Sequence, residues 1–464
     1  MKNITTPIIP VQPDFVKTTK NKTINHKAIC LFAATGFFWE TDTYWKNKKT
    51  LYPATSNEID EQDRLVSSYP YFKWNYTPKK NYSFEEALED FTELIETIID
   101  EQIGDQQAIL PISGGLDSRT QAVALKHLGK KVTAYSYSFS GGYAESAIAQ
   151  KIANVCDFQF QEFFIPNGYL WDVIEDLAAI NRCYSEFTHP RQMAVLPEFE
   201  KMEGVFSLGH WGDVLFDLGA PEHYTEKDLV QLVKKKVIKK GGLELGTALW
   251  QDWKLEGDFE TYLEERIQAL LNKIDIDHVG AKMRAFKSLF WAPRWTSTNL
   301  SVFEKAHPIT LPYYDNRMCA FICKVPEEYL ANRKLQIAYI QKRNPAVANI
   351  TWEDQRPFNL NNYHYNKMPY NLAFKLGRKF RAGIQKIQQK KFIQRNWELQ
   401  FVGEENERHL ERYLFDQKFA EFLPSATTKK FYEKFKEEDD VFYSHPVSML
   451  LTLSVWNKKF NHAQ

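Results

Sequence analysis

The stretch from Gln106 to Gly129, QQAILPISGGLDSRTQAVALKHLG, most narrows what this chain can fold into. Ala108 to Ile112 is a short apolar run bounded by Pro111 and a Gly-Gly pair, the pattern of a strand buried in a parallel sheet. Ser118 to Leu128 places Ala122, Val123, Leu125 and Leu128 close to helical spacing. Between them lies Ser113-Gly114-Gly115-Leu116-Asp117-Ser118. A strand that passes through two glycines into a helix presents backbone N–H groups and the positive end of a helix dipole, with no Cβ to hold an anion off. An isolated SGG would be only a turn. Here Asp117 and Ser118 stand at the mouth of the cradle, a carboxylate suited to Mg²⁺ and a hydroxyl suited to a phosphate oxygen. No GK[ST] follows at Walker spacing, so the cradle is of another type.

Strands and helices alternate around this unit. Ser83 to Glu86 opens a helix with the look of a capping box, and it continues through Ala87, Phe91, Leu94, Ile95 and Ile98 at amphipathic spacing. Lys131 to Phe139 reads as a second strand, Glu145 to Val155 as a second helix and Phe158 to Ile165 as a third strand; residues 166–204 read as helical. This order predicts an α/β fold, a doubly wound parallel sheet with its ligands at the carboxyl ends of the strands. Farther on, within Val205 to Phe216 (VFSLGHWGDVLF), another strand ends in glycines and Asp213 opens the next apolar segment.

SGGLDSR resembles the pyrophosphate-binding loop of the N-type ATP pyrophosphatases, and its Leu-Asp-Ser form is that of the asparagine synthetase branch. The Gly209 to Phe216 string is similar to the family's SGxGxDELF loop. The resemblance implies an adenine nucleotide alpha hydrolase-like fold, with ATP at Leu110, Ser113, Gly114, Gly115, Leu116, Asp117, Ser118, Tyr137 and Gly209 and with Mg²⁺ on Asp117 and Asp213. Tyr137-Ser138 and Glu145…Ala149…Ile152-Ala153 are similar to the family's second strand and the helix after it; AxxIA is also how any small-residue helix face packs on a sheet. Phe303-Glu304, Pro312 to Asp315, Val325-Pro326, Asn332 to Ile337, Pro345 and Arg356 to Phe358 are similar to the C-terminal half of the synthetase domain, with Ala306 where the family has an arginine. By that resemblance Lys334 is the candidate for the lysine that stabilises charge as a carboxylate attacks ATP, with Arg333 and Lys342 competing for the assignment; Arg119 is a second catalytic candidate.

The implied activity is that of an ATP-dependent carbon–nitrogen ligase. A small-molecule carboxylate is activated as an acyl-adenylate with release of pyrophosphate, and an amine or ammonia then displaces AMP. Two alternatives stand beside it, a pyrophosphatase-type amidotransferase acting on a sugar or base, and a catalytically inactive nucleotide-binding protein. The sequence also departs from the family. GFF, DTYWKN, LYPA and YFKWNY between Gly36 and Tyr76 are similar to the last strands of the glutaminase domain, but Met1 is followed by Lys2, not by the family's nucleophilic cysteine. Cys30 lies in the apolar run AICLFAA, which reads as a strand, so no glutamine hydrolysis is expected. His210-Trp211 stands where the family's second loop carries an acid, and Val214 follows the metal aspartate, so the acceptor site is rebuilt.

At 464 residues the chain is too long for one ordinary core. The divisions expected are an N-terminal β unit over 1–80, the remnant of a glutaminase domain, whose residues to about 27 are an arm laid over the surface or disordered; the nucleotide-binding domain over 81–365; and a helical tail over 366–464. Lys+Arg and Asp+Glu are both 59, a balance that argues against nucleic acid as a partner, and the lysine cluster at 234–240 reads as a solvated helix face. The five cysteines form no CxxC, which suggests reduced thiols in a cytoplasmic protein, and neither a signal peptide nor a membrane-spanning stretch is visible. Lys367 to Arg395 holds nine basic residues and no acidic one, interspersed with apolar side chains. That run is either a peripheral contact with an anionic membrane surface or a helix packed on the protein with a solvated basic face.

Overall fold

The N-terminal eighty residues hold the short strands expected of them, with a helix set among them. In the computed structural model, which describes residues 1–19, 21–139, 146–187, 191–377, 380 and 400–461, the chain starts with β1 (Lys2–Thr6) and β2 (Phe15–Lys17). It then enters α1 (His26–Thr35), followed by β3 (Lys48–Thr50), β4 (Thr55–Ile59) and β5 (Leu65–Pro70). Strands β1, β4 and β5 form an antiparallel sheet and β2 pairs with β3. The first residues are thus part of the fold and not a surface arm, with Ile8, Ile9 and Val16 buried. AICLFAA, read as a strand, is the middle of α1. Asn25 caps it by accepting from the Ala28 N–H, and Gly36 closes it in the left-handed region at φ +83°. The helix is apolar on every side because every side is covered, and periodicity cannot separate such a run from a buried strand. Glycine makes one of these contacts, since a Cβ on Gly242 would lie 2.2 Å from the Ala34 carbonyl oxygen.

Helix α2 (Phe84–Ile103) begins at the expected capping box, where Ser83 accepts from the Glu86 N–H and Glu86 accepts from the Ser83 N–H. The chain then alternates through β6 (Ala108–Pro111), α3 (Asp117–His127), β7 (Val132–Phe139), α4 (Ser146–Val155) and β8 (Gln159–Ile165). Helix α5 (Tyr169–Asn181) leads toward β9 (Val205–Ser207), and β10 (Ile309–Thr310) follows about a hundred residues later. These strands form a five-stranded parallel sheet in the order β10-β9-β6-β7-β8, the α/β architecture that the alternation predicts.

The strand order positions the site. From β6 the chain winds outward through β7 to β8, then returns to lay β9 on the other side of β6. The connections leaving β6 and β9 therefore diverge above neighbouring strand ends, which is where parallel sheets open a ligand crevice. One hydrophobic core runs from Ile8 to Trp456 and takes in the N-terminal unit and the C-terminal helices. The helix Ser444–Trp456 is buried along its whole length. Most of the basic run, residues 378–379 and 381–395, lies outside the described residues, as does Glu145. Among the described residues no helix is long and apolar enough to cross a membrane.

Candidate active site

The loop after β6 is closed by its own serines. The Ser113 N–H donates to Ser118 Oγ at 3.1 Å and the Gly115 N–H to Ser113 Oγ at 3.2 Å. Arg119 braces it from behind. Fully buried, it donates from Nη1 to the Ile350 carbonyl (3.0 Å) and from Nη2 to the carbonyls of Gly114 (3.1 Å) and Thr351 (2.8 Å). Burial pushes its guanidinium down to about 10 against the opposing charge of Glu353. Glu353 also explains the first glycine, because a Cβ on Gly114 would stand 2.6 Å from Glu353 Oε2.

Asp117, at the first turn of α3, is where the two loops meet. The Asp213 N–H donates to its Oδ2 at 3.1 Å. Both glycines of the second loop press on it, since a Cβ on Gly212 would lie 2.4 Å from Asp117 Oδ1 and one on Gly209 would lie 3.3 Å from its Cβ. Gln336 donates through Nε2 to Asp117 Oδ1 (3.1 Å) and to the Tyr313 hydroxyl (3.0 Å), which itself donates to the Asp117 carbonyl (2.9 Å). Arg333 pairs with Asp117 Oδ1 through Nη2 while its Nε donates to Gln336 Oε1 at 2.6 Å. Burial raises the Asp117 carboxyl to about 6; the Arg333 charge opposes that shift and the Asp213 charge adds to it.

Two neighbouring aspartates, one already holding a cationic side chain, suit a hard divalent cation. Among the described residues no cluster of three or more His, Cys, Asp or Glu could hold a metal by itself. A Mg²⁺ held by Asp117 and Asp213 would take its other oxygens from phosphates and water.

The remaining sequence candidates fall in different places. Leu110 is buried in β6, Leu116 is buried at the end of the loop, and Tyr137 lies on β7 with the Arg191 guanidinium 5.2 Å from its ring centre. Lys334 is not brought to the carboxylates. It is exposed and its Nζ donates to the Glu328 carbonyl at 2.9 Å, whereas the preceding residue, Arg333, reaches Asp117. Lys342 is likewise exposed. The reason is local: Asn332 and Arg333 both lie in the left-handed region, at φ +55° and +63°, which reverses the chain just before the helix Lys334–Arg343.

Sequence reasoning gave no role to Tyr313 or Gln336, although both lie inside the motif strings. It missed Lys287 altogether. This lysine opens a π-helical turn, Lys287–Trp291, a feature that often marks functional sites. Burial and Lys236 push its ammonium down to about 8, while Asp213 opposes the shift. In the second loop Trp211, at φ +64°, donates its indole N–H to Thr296 and sets its ring edge-on to Trp291 (5.6 Å) and Trp295 (6.1 Å). Burial pushes His210 down to about 4, so it is neutral at physiological pH, and its Nδ1 is enclosed without a hydrogen-bond partner.

The family model described as asparagine synthase matches residues 90–336. No curated protein matches the chain. Among solved structures, an NMN synthetase from Francisella tularensis is similar at 15% identity over 44% of this chain and 93% of its own, with a TM-score of 0.23.

Proposed function

The chain belongs to the asparagine synthase family, and from that premise we propose that it is an ATP-dependent ligase that activates a carboxylate as an acyl-adenylate for amide formation. The observation that carries the reading is the meeting of the two strand-end loops at Asp117, with Asp213 beside it. The backbone of Ser113 to Ser118 and the start of α3 bind the β- and γ-phosphates of ATP. Asp117 and Asp213 would hold Mg²⁺, which would supply charge neutralisation for the phosphates there. A substrate carboxylate oxygen attacks the α-phosphorus, the bond to the β-phosphate breaks, and pyrophosphate remains in the loop. An amine then attacks the acyl carbon, loses a proton and expels AMP.

Arg119 acts through the loop and not on the substrate, since both its Nη groups donate to backbone carbonyls and its Nε is buried without a partner. Trp211 packs edge-on to Trp291 and Trp295 two residues before Asp213, and the neutral His210 beside it brings no charge to that loop. ATP–pyrophosphate exchange, screened across carboxylic acids, tests the proposal. Exchange that depends on one class of acid and is lost in Asp117→Ala and Asp213→Ala supports it. Exchange driven only by sugars or bases moves the chemistry to another acceptor, and exchange that survives either substitution removes the metal assignment.

A further inference from the structure

We infer that Arg333 stands in for the metal on Asp117 in the nucleotide-free protein and passes to the nucleotide's phosphates when the metal arrives. The inference rests on the function proposed above and adds an exchange of cations to it. Two adjacent carboxylates, here a partly buried Asp117 and an exposed Asp213, repel each other unless a cation lies near them. Among the described residues Arg333 is the one cation in a salt bridge with Asp117, its side chain 12% exposed. It binds Oδ1, which Gln336 Nε2 also reaches and against which Gly212 packs, so a metal on that oxygen competes with the guanidinium.

The backbone that delivers Arg333 is strained. Asn332 and Arg333 occupy the left-handed region in succession, where a residue with a Cβ rarely sits, and they are held there by the Asn332 N–H on Asp217 Oδ1 (3.0 Å) and by the Arg333 Nε on Gln336 Oε1 (2.6 Å). Strain of this kind gathers where a segment has two states to move between. Once released, a guanidinium at the mouth of the loop offers a planar fork of donors that matches two phosphate oxygens. Because metal and guanidinium compete for one carboxylate, each weakens the other, and the phosphates that accompany the metal give Arg333 its next partner. Empty of nucleotide, the site therefore discriminates against free metal.

The test uses the full-length chain and Mn²⁺ in place of Mg²⁺, with free Mn²⁺ read by electron paramagnetic resonance and pyrophosphate binding read by calorimetry, with no turnover. Arg333→Ala is expected to bind Mn²⁺ alone at least tenfold more tightly than the parent and to bind pyrophosphate, at saturating Mn²⁺, at least tenfold more weakly. Arg333→Lys keeps the charge but not the fork, falls between the two on both measures, and carries the test should the alanine form not fold. Parent and variants that bind Mn²⁺ with pyrophosphate but show the same affinity for Mn²⁺ alone overturn the inference and leave the proposed function standing. A chain that binds no Mn²⁺–pyrophosphate in any form overturns both.

Discussion

Gly212 lies against Asp117 so closely that a Cβ there would come within 2.4 Å of Oδ1, 2.6 Å of Cγ and 3.0 Å of the Tyr313 ring. The second loop is shaped around the first loop's carboxylate, and neither can be placed without the other. Gly212→Ala must push Asp117 out of position. Its expected effect is a loss of ATP affinity of tenfold or more, about 1.4 kcal/mol, with a stability cost of roughly 1–3 kcal/mol for the overpacking. Calorimetric titration with ATP and Mg²⁺, alongside thermal melts, checks both.

The two glycines of the first loop serve different ends, and their alanine variants should separate. A Cβ on buried Gly114 would meet Glu353 at 2.6 and 2.7 Å, so Gly114→Ala is expected to melt earlier than the parent with or without nucleotide. Partly exposed Gly115 has only Ser113 Oγ near its Cβ position, at 3.3 Å. Gly115→Ala should therefore keep its stability to within about 1 kcal/mol and lose nucleotide affinity, because the methyl group enters the mouth of the cradle. Equal melting temperatures for the two variants would remove the distinction.

Lys287 gives a pH dependence with a definite sign. The folded protein holds its proton only to about pH 8, whereas an ordinary lysine holds it to 10.5, so at neutral pH its enclosed charge costs folding roughly 3 kcal/mol. Between pH 8 and 10.5 the unfolded chain binds more protons than the folded one, and this group's contribution to stability rises with pH across that window. Lys287→Met is expected to be more stable than the parent at pH 7, with a gap that closes as the pH approaches 10. Denaturant unfolding at pH 7, 8.5 and 10 measures it. A variant less stable at pH 7 would show that the ammonium is better compensated than its surroundings suggest.

Elements with a period or a punctuation mark were legible in the sequence. Ala108 to Ile112 alternates with nothing and is bounded by glycines, and it is β6 followed by its loop; Ser83 and Glu86 announced the start of α2, and the order of strands and helices gave the parallel sheet. What escaped was set by tertiary contact. AICLFAA is a helix because neighbours cover it on all sides, a fact no seven-residue window contains. The first seventeen residues are polar enough to pass for an arm, yet pairing with residues 48–59 draws them into sheets. At the site, residue types and the two aspartates could be read from the loops. The choice between Arg333 and Lys334 could not, because it depends on two successive left-handed residues, of which Asn332 takes that conformation readily but Arg333 is an unexpected one.

The central claim is that the Ser113 to Ser118 loop grips the terminal phosphates of ATP while Asp117 and Asp213 share the metal. A crystal structure of the full-length chain with Mg²⁺ and an ATP analogue that resists cleavage between the α- and β-phosphates tests it most directly. The account predicts the β- and γ-phosphates on the loop's backbone N–H groups, the metal between the two aspartates, and the Arg333 guanidinium moved from Asp117 to a phosphate oxygen. Nucleotide bound elsewhere, with Ser113 still closed on Ser118 and Arg333 still on Asp117, would contradict it.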